Sequence, residues 1–136
     1  MSGYVSEFLR RSIASRAQGR CEYCLIREDD TDLGLQVEHI ISEKHGGPTT
    51  GENLAMACVF CNRFKGTDIG SLSPKSGQLI RFFNPRTDRW LDHFAIDGLE
   101  IVPLTEIGSV TIKVLRINHP ERLLERKLLQ LAGRYP

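Results

Sequence analysis

Two C-x-x-C pairs constrain this chain more than any other feature of its sequence. Cys21 and Cys24 form the first pair, and Cys58 and Cys61 form the second. Four thiolates are the donor set that binds zinc tetrahedrally in a closed site, with no coordination position left for water. We therefore predict a structural zinc site that fastens two distant parts of the chain together.

The segment between the two pairs is longer than a simple zinc fold requires. Residues 25–57 separate the pairs, whereas compact zinc ribbons use roughly 15–20 residues. The excess predicts a functional hairpin inserted between the two halves of the metal site. A redox or metal-sensing role is an alternative, but it explains neither the second pair nor the Glu-His dipeptide between the pairs.

Composition and charge narrow the class of protein. The 136 residues are 40% hydrophobic and 26% charged, which is typical of a globular domain. The sequence shows no membrane span and no signal peptide, so we expect a cytoplasmic protein without a membrane partner. The net charge of +1 does not by itself indicate nucleic acid, although arginines cluster at positions 10, 11, 16 and 20 and again at 81, 86 and 89.

Hydrophobic periodicity and turn residues predict an α+β fold. A helix is expected over residues 4–18, followed by a core over 20–67. A last helix capped by Asn118 should carry Leu124, Leu128 and Leu131 on one face. The core is expected to contain a strand at 35–41, a loop at 42–51, a strand at 54–57 and a helix at 58–67. The extension over 70–136 is expected to add strands at 79–83, 99–104 and 109–117, and to pack on the core so that 1–136 forms one domain.

Four residues within the core are candidates for catalysis. His39 is the candidate general base, because an imidazole can accept a proton from water near neutral pH. Glu38 and Asn62 offer hard oxygen ligands for a catalytic Mg²⁺ or Mn²⁺. Asn53 is expected to hydrogen-bond the backbone and fix the loop that orients His39.

The geometry of a strand and a helix sets conditions on this site. Neighbours on a strand point to opposite faces, so Glu38 and His39 share a site only if the strand ends or bends there. On the following helix Cys61 and Asn62 lie about 100° apart, so one can face the zinc and the other the catalytic metal. Lys65 shares the face of Asn62 and is a candidate contact for a substrate phosphate. Arg63 and His45 are weaker candidates for the same contact.

Taken together, these segments resemble the HNH endonuclease family, which has the ββα-metal fold. The resemblance rests on CEYC, VEHI, the Gly-Gly pair and ENLAMACVFCNRFKG, over about residues 20–66. It implies hydrolysis of DNA, most simply double-stranded DNA, with His39 as the base and products that carry a 5′ phosphate. Asn62 stands where the family has its last histidine, which gives an H-N-N variant, and Glu38 stands where many relatives have Asp.

Two further expectations concern how such a protein works. A double-strand cut by one small domain favours a dimer or two successive nicks. The rival to an enzyme is a zinc-stapled module that binds nucleic acid or protein without cleaving it.

Overall fold

The polypeptide forms five α-helices and three antiparallel hairpins within residues 4–136, the part of the chain that this computed structural model describes. The fold is therefore α+β, as predicted. No helix in this range is both long enough and apolar enough to cross a membrane. The helices are α1 (Glu7–Ala17), α2 (Val59–Lys65), α3 (Trp90–His93), α4 (Glu106–Leu115) and α5 (Pro120–Leu131). The hairpins pair β1 (Leu35–His39) with β2 (Leu54–Cys58), β3 (Gly70–Leu72) with β4 (Leu79–Arg81), and β5 (Phe94–Asp97) with β6 (Glu100–Pro103).

The N-terminal helix was predicted over 4–18, and its interior is confirmed. It begins later because Ser6 is the N-cap, and its side chain accepts a hydrogen bond from the Leu9 amide. It ends at Ala17, because the C-cap residue Gln18 has the left-handed conformation at φ 55°. Arg16 donates to the Leu54 carbonyl at 2.7 Å and so ties α1 to the central hairpin.

The predicted ββα unit is confirmed, with small shifts at its boundaries. In the β1–β2 hairpin His39 pairs with Leu54, and Leu35 pairs with Cys58. β1 therefore ends at His39, which is the condition for Glu38 and His39 to share a site. Cys58 ends β2 and caps α2, because its sulfur accepts from the Cys61 amide.

The strand predicted over 109–117 is wrong, because residues 106–115 form α4. Thr105 caps this helix by accepting from the Gly108 amide at 3.1 Å. Apolar or buried positions recur at 107, 110, 111, 114 and 115, which is helical spacing. The strands predicted at 79–83 and 99–104 are present but shorter, and β3 and β5 were not predicted.

The last helix begins one residue later than predicted. Its N-cap is His119, whose ring accepts from the Glu121 amide. Asn118 has another role, because its side chain both donates to the Ile101 carbonyl at 2.8 Å and accepts from the Ile101 amide at 3.0 Å. The side chain of Asn118 therefore pairs with β6 in the manner of a neighbouring strand.

The inward face of α5 carries arginines, and its leucines face outward. Arg122 and Arg126 are buried at 5% and 3% exposure, whereas Leu124 and Leu128 are 58% and 60% exposed. Arg126 donates to the carbonyls of Leu99 and Ile117 at 2.7 and 2.8 Å. The face is buried because it meets carbonyl and sulfur acceptors, which a guanidinium can satisfy with five donors.

Residues of the C-terminal extension contact the first cysteine pair. The indole of Trp90 donates to the Tyr23 carbonyl at 2.9 Å. The hydroxyl of Tyr135 donates to the Cys24 carbonyl at 2.6 Å. That residues 1–136 form one folding unit stays a prediction.

Candidate active site

The four cysteine sulfurs form one buried cluster. All lie within 4.8 Å of one another, and the sulfurs of Cys24 and Cys58 are 3.7 Å apart. A tetrahedron of sulfurs around zinc, with bonds of about 2.3 Å, has edges of about 3.8 Å. The cluster can therefore hold a zinc ion with little change in its geometry.

The backbone holds each pair in the form of a metal knuckle. The Cys24 amide points at the Cys21 sulfur at 3.5 Å, and the Cys61 amide points at the Cys58 sulfur at 3.4 Å. Burial raises the pKa of Cys21 and Cys61. Hydrogen bonds from the other three cysteines lower the pKa of Cys24 well below its ordinary value. The cluster thus favours a thiolate at Cys24, and thiolate is the form that binds zinc.

A guanidinium supports the cluster from α5. Arg122 donates to the sulfur of Cys61 at 3.1 Å and approaches that of Cys58 at 3.6 Å. Its other terminal nitrogen donates to the Leu115 carbonyl at 3.0 Å. Burial alone would lower the pKa of Arg122, but the three nearby cysteines, Cys61 foremost, raise it above its ordinary value. Arg122 therefore supplies a permanent positive charge to a site that concentrates negative charge.

Glu38 lies in the interior with both carboxylate oxygens engaged. It is 5% exposed, and it accepts a short hydrogen bond from the Tyr23 hydroxyl. Its other oxygen lies 3.1 Å from the ammonium of Lys65. Burial raises the pKa of Glu38, although the charge of Lys65 and the hydrogen bond from Tyr23 oppose this shift. Each carboxylate oxygen keeps a second lone pair for a further ligand.

Lys65 lies in a different place from the one expected for a phosphate contact. Its side chain is 1% exposed. Its ammonium pairs with Glu38 and also donates to the His39 carbonyl at 3.1 Å. The Lys65 side chain therefore reaches the buried carboxylate of β1 and not the solvent. Lys65 thus holds the Glu38-His39 dipeptide through one side-chain contact and one backbone contact.

His39 stands at the end of β1, where the loop begins. Its Nε2 lies 2.9 Å from the Thr49 hydroxyl and 3.4 Å from a carboxylate oxygen of Glu43. Both partners come from the loop that follows the strand. With Nε2 occupied in this way, Nδ1 is the ring nitrogen left for a reacting group.

Asn53 closes the loop after His39 through its side-chain amide. It donates to the carbonyls of Ile41 and Pro48 at 2.8 and 2.9 Å, and it accepts from the Ile41 amide at 2.9 Å. Asn53 is 7% exposed, so these hydrogen bonds are largely protected from water. The same side chain makes close contact with Gly47, where an added Cβ would lie 2.8 Å from the Asn53 amide nitrogen.

Asn62 joins Glu38 and His39 at a single cleft of about 370 Å³. Its side-chain amide donates to the Gln36 side chain at 2.6 Å. Its carbonyl oxygen is the atom available to a ligand. The remaining lining residues of the cleft are Val37, Ser42, Glu43, Lys44, Gly66 and Thr67.

The segment that carries this cleft is similar to a known protein family. Residues 21–68 match the family model described as HNH endonuclease. Over this segment, about a third of its length, the chain is similar to HNH endonucleases. Domains of this family are generally nucleases that bind nucleic acid, so the HNH segment implies a function of the nuclease type.

The chain also resembles a curated protein along most of its length. It is 25% identical over 125 residues to the Septu protein PtuB of Bacillus thuringiensis, an alignment that covers 90% of this chain. The chain spans about half of that relative, because the alignment covers 46% of the relative's length. No solved structure matches the chain significantly.

Two of the weaker candidates lie outside the cleft of the HNH segment. His45 is exposed in the turn formed by Glu43–His45 and does not line the cleft. Arg63 is exposed and lines a separate cavity together with Phe60 and Glu125. Neither residue is brought to the same place as His39 and Asn62.

The donor set of the HNH cleft fits a hard divalent cation. Glu38 and Asn62 contribute carboxylate and amide oxygens, which Mg²⁺ and Mn²⁺ prefer. The Glu38 oxygens already have partners in Tyr23 and Lys65, so a cation there would be held by few protein ligands and by water or phosphate. Glu43 brings a further carboxylate to the same cleft.

Several residues around the site were not found from the sequence. Arg122 was missed because no sequence rule links an arginine in a distant helix to a cysteine cluster. Tyr23 was missed because the first pair was considered only for its cysteines. Glu43 could have been found, because it follows His39 by four residues in a loop expected to orient that histidine.

Proposed function

We propose that this protein is a metal-dependent endonuclease that hydrolyses DNA phosphodiester bonds at the cleft lined by Glu38, His39 and Asn62. One observation carries the proposal: a base, a carboxylate and an amide oxygen line a single cleft. They do so on a hairpin and helix fastened by a buried cysteine cluster. Catalytic residues on such rigid elements are held close to a reactive geometry.

In the proposed reaction His39 is the general base. Its Nε2 faces Thr49 at 2.9 Å, so Nδ1 accepts the proton from the attacking water. The water oxygen bonds to phosphorus, and the bond from phosphorus to the 3′ oxygen breaks with its electron pair on that oxygen. The 3′ oxygen takes a proton from solvent water to become a hydroxyl, and the imidazole returns its own proton to solvent. Glu38 and Asn62 would hold the divalent cation, which when bound supplies Lewis-acid stabilisation of negative charge. Asn53 acts as a positioning residue by fixing the loop after His39.

The zinc ion belongs to the proposal as a structural cofactor. Cys21, Cys24, Cys58 and Cys61 would bind it with all four positions filled, so it has no place for water or substrate. Its effect on function would be indirect, through the orientation of α2 and hence of Asn62.

The experiment is plasmid nicking with Mg²⁺, with Mn²⁺ and after chelation by EDTA. We expect nicking with at least one cation, loss of nicking with EDTA, and a rate lower by about 10²-fold or more for His39→Ala. His119→Ser is the control, since His119 caps α5 and does not line the cleft, and Ser retains a capping side chain. Equal nicking by the wild type and His39→Ala, at equal zinc content, would remove His39 from the role of base.

A second function is favoured by a specific observation. The candidate catalytic groups have internal partners: Glu38 pairs with Lys65, and Asn62 pairs with Gln36. Such pairing also suits a zinc-stapled module that binds nucleic acid or protein without cleaving it. That module would bind duplex DNA with an affinity unchanged in His39→Ala and would nick plasmid under neither cation.

A further inference from the structure

A second groove continues from the candidate active-site cleft toward α1. It encloses about 780 Å³, and it shares Val37 and Asn62 with the catalytic cleft. The two depressions therefore adjoin at Val37 and Asn62. The rest of its lining is Tyr4, Val5, Arg10, Leu33, Leu35 and Gln36.

The side chains of this groove differ in how they are held. Tyr4 is 86% exposed, so its ring has almost no packing against the protein. The guanidinium of Arg10 makes one weak contact, to the Leu35 carbonyl at 3.5 Å. Its neighbour Arg11 forms an ion pair with Glu7 at 3.2 Å, whereas Arg10 has no acidic partner among residues 4–136. The charge of Arg10 is therefore available to a ligand.

We propose that this groove binds the same nucleic-acid strand that enters the active-site cleft, at a stretch whose bases are unpaired. Arg10 pairs with a backbone phosphate, and the ring of Tyr4 stacks on a base. An exposed aromatic ring beside a basic side chain is the combination that binds single strands without sequence preference. The inference rests on the proposed nuclease function and deepens it, because it makes the substrate a strand with an unpaired flank beside the cut.

A nucleic-acid strand fits this groove better than an apolar peptide does, because the groove adjoins the catalytic cleft. The groove opens onto Asn62, a candidate ligand of the catalytic cation, so a chain lying in it would lead directly to the scissile phosphate. A peptide would find apolar contacts at Leu33 and Leu35 but would bring no anionic partner for Arg10 unless it were acidic. A nucleic-acid strand supplies a phosphate and a base together.

The test measures binding without cleavage, in the His39→Ala background. The probes are three labelled DNAs of the same sequence: a blunt duplex, a duplex with a six-nucleotide single-stranded flank, and the single strand. Fluorescence anisotropy is recorded for each at several salt concentrations. We expect the flanked duplex and the single strand to bind more tightly than the blunt duplex.

Substitutions of Tyr4 and Arg10 then test whether the groove contacts the DNA. Tyr4→Ala should weaken binding of the flanked duplex about tenfold, and Tyr4→Phe should restore it, since stacking needs only the ring. Arg10→Gln should weaken binding and reduce the salt dependence by about one phosphate contact. Arg11→Gln is the matched control and should have a smaller effect, because its charge is already paired with Glu7.

The outcomes separate this inference from the proposed function. If the wild type nicks plasmid but Arg10→Gln and Tyr4→Ala bind all three probes as the parent does, the groove assignment is overturned and the nuclease stands. Equal binding of the blunt and flanked duplexes also overturns it. If Tyr4→Ala changes the sedimentation of the protein and leaves DNA binding unchanged, the groove is a contact between copies of the chain and the inference is again overturned.

Discussion

The guanidinium of Arg122 lies 3.1 Å from the sulfur of Cys61 and donates a hydrogen bond to it. Arg122 comes from the last helix, and Cys61 comes from the helix that carries Asn62. This contact links the end of the chain to the centre of the candidate nuclease core. It also explains why a face of α5 that contains arginines is buried.

Replacing Arg122 by Met should weaken zinc binding about 10- to 100-fold, the usual cost of removing a group that supports metal ligands. The substitution removes a positive charge and a hydrogen bond to a thiolate. It also leaves the Leu115 carbonyl without the donor that Arg122 provides. Zinc affinity is measured by competition with a chelator of known affinity. Lys127→Met, an exposed cation on the outer face of the same helix, is the control; an unchanged affinity for Arg122→Met would contradict the role.

Replacing Gly47 by Ala should disorder the loop after His39. A Cβ at this position would lie 1.7 Å from the Ile41 carbonyl oxygen and 2.8 Å from the Asn53 amide, so the backbone must shift. We expect faster amide exchange in residues 40–53 and lower nicking activity, with zinc content unchanged. Gly46→Asn is the control, because its surroundings are open and Asn tolerates a left-handed conformation. Normal exchange in Gly47→Ala would contradict this prediction.

Replacing Lys65 by Met should destabilise the protein by about 3–5 kcal/mol, because it leaves the Glu38 carboxylate buried without its cation. The free energy of unfolding is measured in urea with zinc present. In the double variant Glu38→Gln/Lys65→Met most of this loss should be recovered, since no charge remains in the site. Additive effects of the two single substitutions would show that the two groups do not interact.

The Asp88 carboxylate should make stability depend on pH in the acid range. It accepts two hydrogen bonds from Arg81, at 2.7 and 2.9 Å, and these lower the pKa of Asp88 below its ordinary value. A group with a lowered pKa in the folded state stabilises the fold above the unfolded pKa, and this stabilisation is lost as the pH falls through the folded pKa.

The measurement for Asp88 compares the wild type with Asp88→Asn by urea unfolding between about pH 2 and pH 6, a window below and above the ordinary carboxyl pKa of about 3.9. The difference in unfolding free energy should be about 1 kcal/mol or less at the upper end, because Arg81 is 52% exposed. This difference in unfolding free energy should become smaller as the pH falls toward the lower end of the range. A difference that stays constant across this range would contradict the assignment.

The sequence was most informative where chemistry and spacing coincide. The second cysteine pair, the Glu38-His39 dipeptide and Asn53 fall within one hairpin and helix, whose order follows from turn residues and short apolar runs. The ββα unit could therefore be predicted almost to its boundaries. The partners of these residues could not be predicted, because Tyr23, Lys65 and Arg122 contact them only in the tertiary structure.

The errors in the C-terminal part have a local cause. Val110, Thr111 and Ile112 are β-branched, and their propensity favoured a strand over 109–117. The spacing of the buried positions is helical, and the Thr105 cap starts the helix. In α5 the common rule that leucines face inward fails, because the surface beneath the helix offers sulfur and carbonyl acceptors.

The helix α2 has only seven residues, fewer than the roughly 12–15 that an isolated helix needs to persist in water. One side of it carries Cys61, and the next residue, Asn62, faces the candidate active-site cleft. The orientation of α2 about its own axis therefore depends on the contacts that Cys61 makes in the sulfur cluster. If the sulfur cluster holds zinc, removal of the ion should therefore also release the Asn62 side of the candidate active-site cleft.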